Sequence, residues 1–430
     1  MCRYHHPAPR GRFKVKRPLA ISDTAKDIVL TLQDAGFETY VVGGAVRDLL
    51  LNRTPKDFDI STAATPEEIR GVFGRRKARI IGKRFRLVHL YADNDIYEIS
   101  TFRTAPENSV DGKNLITSDN AYGSAKDDVW RRDFTMNALF YDPAKEEVLD
   151  LTGMGIDDIN NSVVRAIGKP KLRFEEDPVR ILRALKMVAQ FDFALDDATE
   201  NALFASLPLL TLASSSRLAL ELEKILKSSY CDRHLEVFHD YGLLPYFLPE
   251  ISAIWGTPQQ KYLCDLLYER NCRLDDGLYR NSVSLAIACA ALPFVEMALK
   301  REPGTLWLPG TPGSGAVIAQ CVDNIFKPQN LMIRMRESAC RILSLQPQLE
   351  DAENPRRGEI MQQRAYAHAR ELMMIRHAGL PDADEMSRIW PKGSERRRSH
   401  QDNFPPKRRK PKFKGNGRKP EPKWDKKIDE

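Results

Sequence analysis

Apolar residues recur at spacings of three and four through residues 22–36, where Ala25, Ile28, Val29 and Leu32 fall on one helical face. Ser22 is placed to cap that helix and Gly36 to stop it. Residues 37–42, FETYVV, read as a strand whose apolar run ends in Gly43-Gly44. A helix is expected to open at Val46-Arg47-Asp48, and residues 56–61 form a second strand. Thr65-Pro66-Glu67-Glu68 joins a capping threonine to a proline at the first helical position. Residues 86–91 and 96–102 alternate on either side of Ala92–Asp95, the pattern of a hairpin. Residues 104–128 are polar and turn-rich and predict a mobile surface loop, and residues 129–150 return to a helix and a short strand.

From about residue 171 the pattern is helical almost throughout. Its most strongly patterned stretch runs from Arg217 to Lys227, and a Gly/Pro-rich loop at 302–316 interrupts it. No internal repeat is present. The fold class is therefore α+β: a small mixed-sheet head followed by an all-helical remainder.

At 430 residues and 42% apolar content, the chain can build sizeable cores. No run approaches the roughly 18–20 apolar residues of a membrane span, and the first residues lack an apolar signal core, so a cytoplasmic protein with no membrane partner is expected. The seven cysteines are odd in number and form no CxxC pair, which predicts reduced thiols rather than zinc or a disulfide framework. The net charge of +7 is unevenly spread: residues 391–430 carry +9, residues 1–17 carry +6, and the middle carries −8. Few apolar residues and many charges predict a disordered tail from about 391. Basic arms on an acidic body suit a polyanion, because each neutralised phosphate releases counterions. Phe404, Phe413 and Trp424 interleave with the tail's cations, among them Arg408, Arg409 and Lys410.

Candidate chemistry begins at the glycine turn. Glycine lets backbone N–H groups approach phosphate oxygens, and Arg47 adds a forked donor. About a dozen residues on, Asp57 and Asp59 stand two apart, so on a strand they share one face. Paired carboxylates take hard ions such as Mg²⁺ together with phosphate oxygens. A third acid is expected from Glu98 or Asp133, and spacing leaves both open. In Arg131-Arg132-Asp133-Phe-Thr-Met-Asn137, arginine suits phosphate and Asn137 suits a ribose hydroxyl, whereas a capped helix start is the plain structural alternative. On one helix, Asp177, Arg180 and Arg183 would share a face. There a carboxylate can accept from an exocyclic amino group while an arginine donates to ring acceptors. The plain alternative is an i,i+3 ion pair.

Taken in order over residues 40–190, GGAVRD with DFD, RRDFTMNAL and EDPVRILRA resemble the motifs of the class II tRNA nucleotidyltransferase and bacterial poly(A) polymerase family. The resemblance implies a nucleotidyltransferase head (18–150) behind the basic arm (1–17), a helical neck with the base-selecting motif (151–230), a helical RNA-binding body and tail (231–390) and the basic terminus (391–430). It implies metal on Asp57 and Asp59, with Asp133 as the favoured third acid. Gly43, Gly44, Arg47, Asp48, Arg132 and Asn137 would hold the nucleotide, and Asp177, Arg180 and Arg183 its base and phosphates. The implied cofactor is Mg²⁺, with Mn²⁺ as a substitute, and ATP is the implied substrate. Residues 80–90, IIGKRFRLVHL, are similar to a stretch of the bacterial poly(A) polymerases and put Lys83, Arg84 and Arg86 on the RNA. The partners expected from this are RNA 3′ ends of mRNA or of structured and decaying RNAs, and RNA-decay or RNA-chaperone proteins. The Gly-Gly-Ala turn instead matches many CCA-adding enzymes, and residues 250–350 match no motif. CCA addition to tRNA is thus the alternative activity, and a non-catalytic RNA- and nucleotide-binding protein the distant one.

Overall fold

Tyr40, Val41 and Val42 are almost wholly buried, which a strand achieves only when both its faces are covered. In a computed structural model that describes residues 13–82, 87–93, 95–104, 122–304 and 314–392, they lie in the middle of an eight-stranded sheet. Its strands are β1 (Phe13–Lys16), β2 (Thr39–Val42), β3 (Asp59–Thr62), β4 (Ala78–Ile81), β5 (Leu87–Ala92), β6 (Asp95–Thr101), β7 (Leu139–Asp142) and β8 (Glu147–Asp150). They run in the order β1-β8-β7-β2-β3-β6-β5-β4. Only β3 and β6 pair in parallel, with Ile60 opposite Ile99; every other neighbouring pair is antiparallel. Val41 faces the main core, while Tyr40 and Val42 join Phe102 and Phe140 in a smaller cluster on the other face. This is the alternation expected of a strand.

Helix α1 (Asp23–Asp34) starts where Ser22 accepts from the Ala25 N–H at 3.2 Å, and it buries the expected face of Ala25, Ile28, Val29 and Leu32. Helix α2 (Gly44–Leu50) opens at the glycine turn, and α3 (Pro66–Phe73) carries a full capping box between Thr65 and Glu68. The hairpin expected around residues 92–95 is β5–β6.

Four stretches differ from expectation. The strand expected over residues 56–61 begins only at Asp59, so Asp57 lies ahead of it rather than on a shared strand face. Residues 13–16, assigned to a basic arm, add the edge strand β1 to β8; the alternation in FKVK was the signal. The polar 104–128 stretch contains helix α4 (Ala125–Val129), nucleated by a Ser124–Asp127 capping box, and residues 105–121 lie outside the described ones. Residues 129–150 hold one short 3-10 turn, Thr135–Asn137, and two strands rather than a helix and one strand. The expected disorder of the tail also falls outside the described residues.

Beyond α5 (Gly155–Asn160) the described elements are helical apart from a two-stranded pair: α6 (Pro170–Glu176), α7 (Val179–Phe191), α8 (Asp197–Ser206), α9 (Ser215–Lys227) and α10 (Cys231–Asp240), then the body helices. The helix Val283–Ala298 is buried nearly all round and packs on Pro258–Asp275 and Ile333–Ser344, as an all-apolar helix must. Arg270, fully buried, ties neck to body. It donates to the Leu226 and Ser228 carbonyls at the end of α9 (3.0 and 2.7 Å) and to Asn281 (2.9 Å). The six described cysteines are free thiols, and no described helix is long and apolar enough to cross a membrane alone.

Candidate active site

A cleft of about 760 Å³ opens between the sheet and the neck helices. The antiparallel register sets Asp59 beside Val42, the residue that leads into Gly43-Gly44, so the turn and the carboxylate sit together on its head wall. Gly43 adopts φ 75°, ψ −133°, a conformation open essentially to glycine alone. Gly44 is helical, and a Cβ there would meet only the tip of Arg47, at 3.4 Å. Gly43→Ala is therefore expected to cost roughly 1–3 kcal/mol in a denaturant melt, whereas Gly44→Ala, at a helical position open to alanine, carries no such cost.

Asp57 stands just before β3, which begins at Asp59. Burial of the Asp59 carboxyl, then the charges of Asp57 and Glu98, push its pKa up to about 6 against the opposing charges of Arg132 and Lys224. Extending the β3–β6 register places Glu98 opposite Asp59, and its carboxylate lies 3.4 Å from His89 Nε2. These carboxylates repel one another unless a cation joins them, and their hard oxygens fit Mg²⁺ or Mn²⁺.

Asp133, the favoured third acid, is otherwise engaged. Its Oδ2 accepts from Arg183 Nε at 2.6 Å and lies in ion-pair contact with Nη2 at 2.5 Å, and its Oδ1 accepts from the Phe134 N–H and Asn137 Nδ2 (2.8 and 3.3 Å). Burial opposes its charge, but Arg183 and these hydrogen bonds outweigh that and hold its carboxyl below the usual range. Among the described residues no three acidic, histidine or cysteine side chains are grouped to hold an ion. Of the two acids left open by spacing, Glu98 is the one whose charge bears on Asp59.

Arg47 is likewise committed. It donates to Asp48 (2.9 and 2.6 Å) and Asn137 (2.6 Å), and lies 4.5 Å over the Phe191 ring of α7. Arg132 lines the cleft, bonded to Asp128 and Ser61 (3.0 and 3.3 Å). One polar chain thus runs Asp48–Arg47–Asn137–Asp133–Arg183 from head to neck.

Asp177 does not share a helix with Arg180 and Arg183. It ends α6 in an extended conformation, because Pro178 disfavours helical geometry in the residue before it. All three nonetheless line the cleft. Both Asp177 oxygens accept from Arg217 of α9, each at 2.7 Å, while Arg180 donates to the Arg173 carbonyl (2.9 Å) and Glu176 (3.2 Å). Lys83, Arg84, Arg86, Arg408, Arg409 and Lys410 lie outside the described residues.

Sequence reasoning missed the α9 wall: Arg217, Leu220, Glu221 and Lys224, together with Met187 of α7. A signal existed. Glu221 falls in the buried row of Leu218, Leu222 and Ile225, where an acid needs a partner. It has Lys186 (2.6 Å), Lys224 (3.1 Å) and Arg183 (3.8 Å).

Residues 39–165 match the poly A polymerase head domain, and residues 192–254 match the probable RNA and SrmB-binding site of polymerase A. Poly(A) polymerase I of Haemophilus influenzae is 36% identical over 300 residues, 67% of this chain and 66% of its own. That of Salmonella typhi is 31% identical over 396 residues, 89% of this chain and 83% of its own. For the Haemophilus protein the match thus spans just under two thirds of its length. A Geobacillus CCA-adding enzyme is 39% identical over 222 residues, 52% of this chain and 54% of its own. The crystal structure of the Bacillus stearothermophilus CCA-adding enzyme in complex with CTP superposes with a TM-score of 0.61 at 26% identity, covering 85% of this chain and 81% of that one. Motif, sequence and fold agree: the chain belongs to the class II tRNA nucleotidyltransferase and poly(A) polymerase family.

Proposed function

We propose that the chain is a polynucleotide adenylyltransferase that extends RNA 3′ ends with adenosines from ATP, without a template. The observation that supports the choice within the family is the extent of sequence similarity: it continues over 89% of the chain for a poly(A) polymerase, against 52% for the CCA-adding relative. In the reaction the RNA 3′-oxygen forms a bond to the α-phosphorus, the bond to the β-phosphate oxygen breaks, and pyrophosphate leaves. Asp57 and Asp59, with Glu98 beside them, would hold Mg²⁺, which supplies the positive charge that activates the hydroxyl and stabilises the leaving group. The glycine turn brings backbone close to the phosphates. Arg47 and Asn137 fix that wall rather than grip the nucleotide themselves, and Arg132 offers its charge beside Asp59. Asp133 holds Arg183 in place from beneath. Asp177 and Arg180 read the base edge once their present partners yield. Lys83, Arg84, Arg86 and the terminal tail would hold RNA through phosphates, so binding weakens with salt.

Protons compete with the cation for Asp59. Below about pH 6 its carboxyl is protonated first, so the Mg²⁺ concentration for half-maximal transfer should rise roughly tenfold per pH unit. A metal titration of initial rate at several pH values checks this.

The second reading, CCA addition, is favoured by the 39% identity to the CCA-adding relative and by the CTP-bound neighbour. Purified protein is offered tRNA lacking its CCA end and an unrelated oligoribonucleotide, with ATP or CTP. Long adenosine tails on both RNAs support the proposal. CTP incorporation into the truncated tRNA, with no long tail on either, sinks it.

A further inference from the structure

Helix α9 presents one face to the cleft: Arg217, Leu220, Glu221 and Lys224, spaced i, i+3, i+4 and i+7. Arg217 and Lys224 are separated by about 10 Å of helix rise. That is close to the span from the base edge to the terminal phosphates of a nucleoside triphosphate. The two ends of this ruler meet different chemistry. Arg217 grips Asp177, the proposed base-reading acid, through both oxygens. Lys224, just under two turns on, projects from the opposite wall to Asp59, and its charge is felt there.

The charges around Glu221 single out Lys224. Arg183 is matched by Asp133 at 2.5 Å. Glu221 then remains for both Lys186 and Lys224. The side chain of Lys186 is only 12% exposed and cannot be left without its partner; that of Lys224 is 59% exposed and can leave at little cost. Among these five groups one positive charge is in excess, and Lys224 is the one free to carry it into the cleft. A flexible ammonium is a point charge suited to phosphate oxygens that move as a bond breaks.

We propose that Lys224 is a phosphate-positioning residue: it takes the β- and γ-phosphates of the incoming nucleotide from the neck side, opposite the metal-binding acids, and stays with the pyrophosphate as it leaves. This rests on the reading of the cleft as a nucleotidyl-transfer site.

The test compares the full chain with Lys224→Ala and Lys224→Arg, titrating ATP, AMP and pyrophosphate by calorimetry in Mg²⁺ without RNA. Lys224→Ala weakens ATP and pyrophosphate roughly tenfold and leaves AMP unchanged, and Lys224→Arg restores most of the loss. In extension assays KM for ATP rises more than kcat falls. A merely structural lysine would weaken AMP and ATP alike, and that result, or unchanged ATP affinity in Lys224→Ala, overturns the inference alone. An unaltered chain that binds neither ATP nor pyrophosphate overturns it together with the functional reading.

Discussion

Asp59→Ala reduces RNA extension by roughly a thousandfold or more, while RNA binding stays close to that of the unaltered chain. The loss is large because Asp59 lies where three requirements meet: β2 delivers the glycine turn, β3 begins at this carboxylate, and β6 brings Glu98 alongside. No neighbour can substitute. Asp57 lies ahead of the strand, and Asp133 is tied to Arg183. The same substitution has an opposite effect on stability. The Asp59 pKa is raised to about 6, above its unfolded value of roughly 3.9. Its contribution is therefore fully favourable only below the unfolded value, and is lost as pH rises through 6. At neutral pH the ionised group strains the fold. Asp59→Ala should then raise stability by something on the order of 1 kcal/mol, a figure discounted because the residue also meets solvent. A variant that loses transfer and also loses stability would show that Asp59 holds the sheet end together rather than a metal. Extension rates and urea melts at pH 5 and pH 8 separate the two.

Arg183→Met has the second large effect, with the signs reversed. Asp133 is buried and keeps its charge because Arg183 supplies the opposing charge and one of its three hydrogen bonds. Removing the guanidinium leaves a carboxylate with only Asn137 and a backbone N–H. The expected cost is roughly 2–3 kcal/mol, at the lower end for a broken buried pair because the Arg183 side chain is 37% exposed. The pH dependence gives the signature. The Asp133 pKa is depressed in the folded state, so the pair's stabilisation is present above the unfolded carboxylate value and disappears as pH falls through the folded one. The stability gap between the unaltered chain and Arg183→Met should therefore narrow under acid, below about pH 4. Urea midpoints from pH 7 down to pH 3 check it, and a gap that widens on acidification would remove Asp133 as the charge Arg183 serves.

Much of this site was legible because its signals are local. Ser22, Thr65 and Gly36 mark helix ends by their own chemistry, whereas the spacing of Asp57 and Asp59 implied one strand face and the strand begins only at Asp59. What was not legible depended on partners distant in the chain. Nothing near Asp133 announces that Arg183, fifty residues on, claims it, so it read as a metal ligand. Arg47 read as a free fork, although Asp48, Asn137 and Phe191 already occupy it. Asp177 read as helical because its spacing to Arg180 fits, but Pro178 outweighs periodicity there. The α9 wall was recognised as a helix and missed as a site, because its apolar row concealed Glu221. The edge strand β1 was missed because its lysines were weighed as charge rather than as alternation.

The buried Arg270 carries a further consequence, for the order in which the protein becomes functional. The carbonyls at the end of α9 lack partners within the helix, and Arg270 satisfies two of them from more than forty residues downstream. During synthesis the head and α7 emerge first and can begin to fold. The helix that faces them across the cleft gains these two partners for its last carbonyls only once the body helix Pro258–Asp275 has left the ribosome. A nascent chain that already displays Asp57, Asp59 and the glycine turn would thus still lack the anchor that ties its second wall to the body. The final anchoring of the cleft thus falls to the body, whose sequence carries none of the recognisable chemistry.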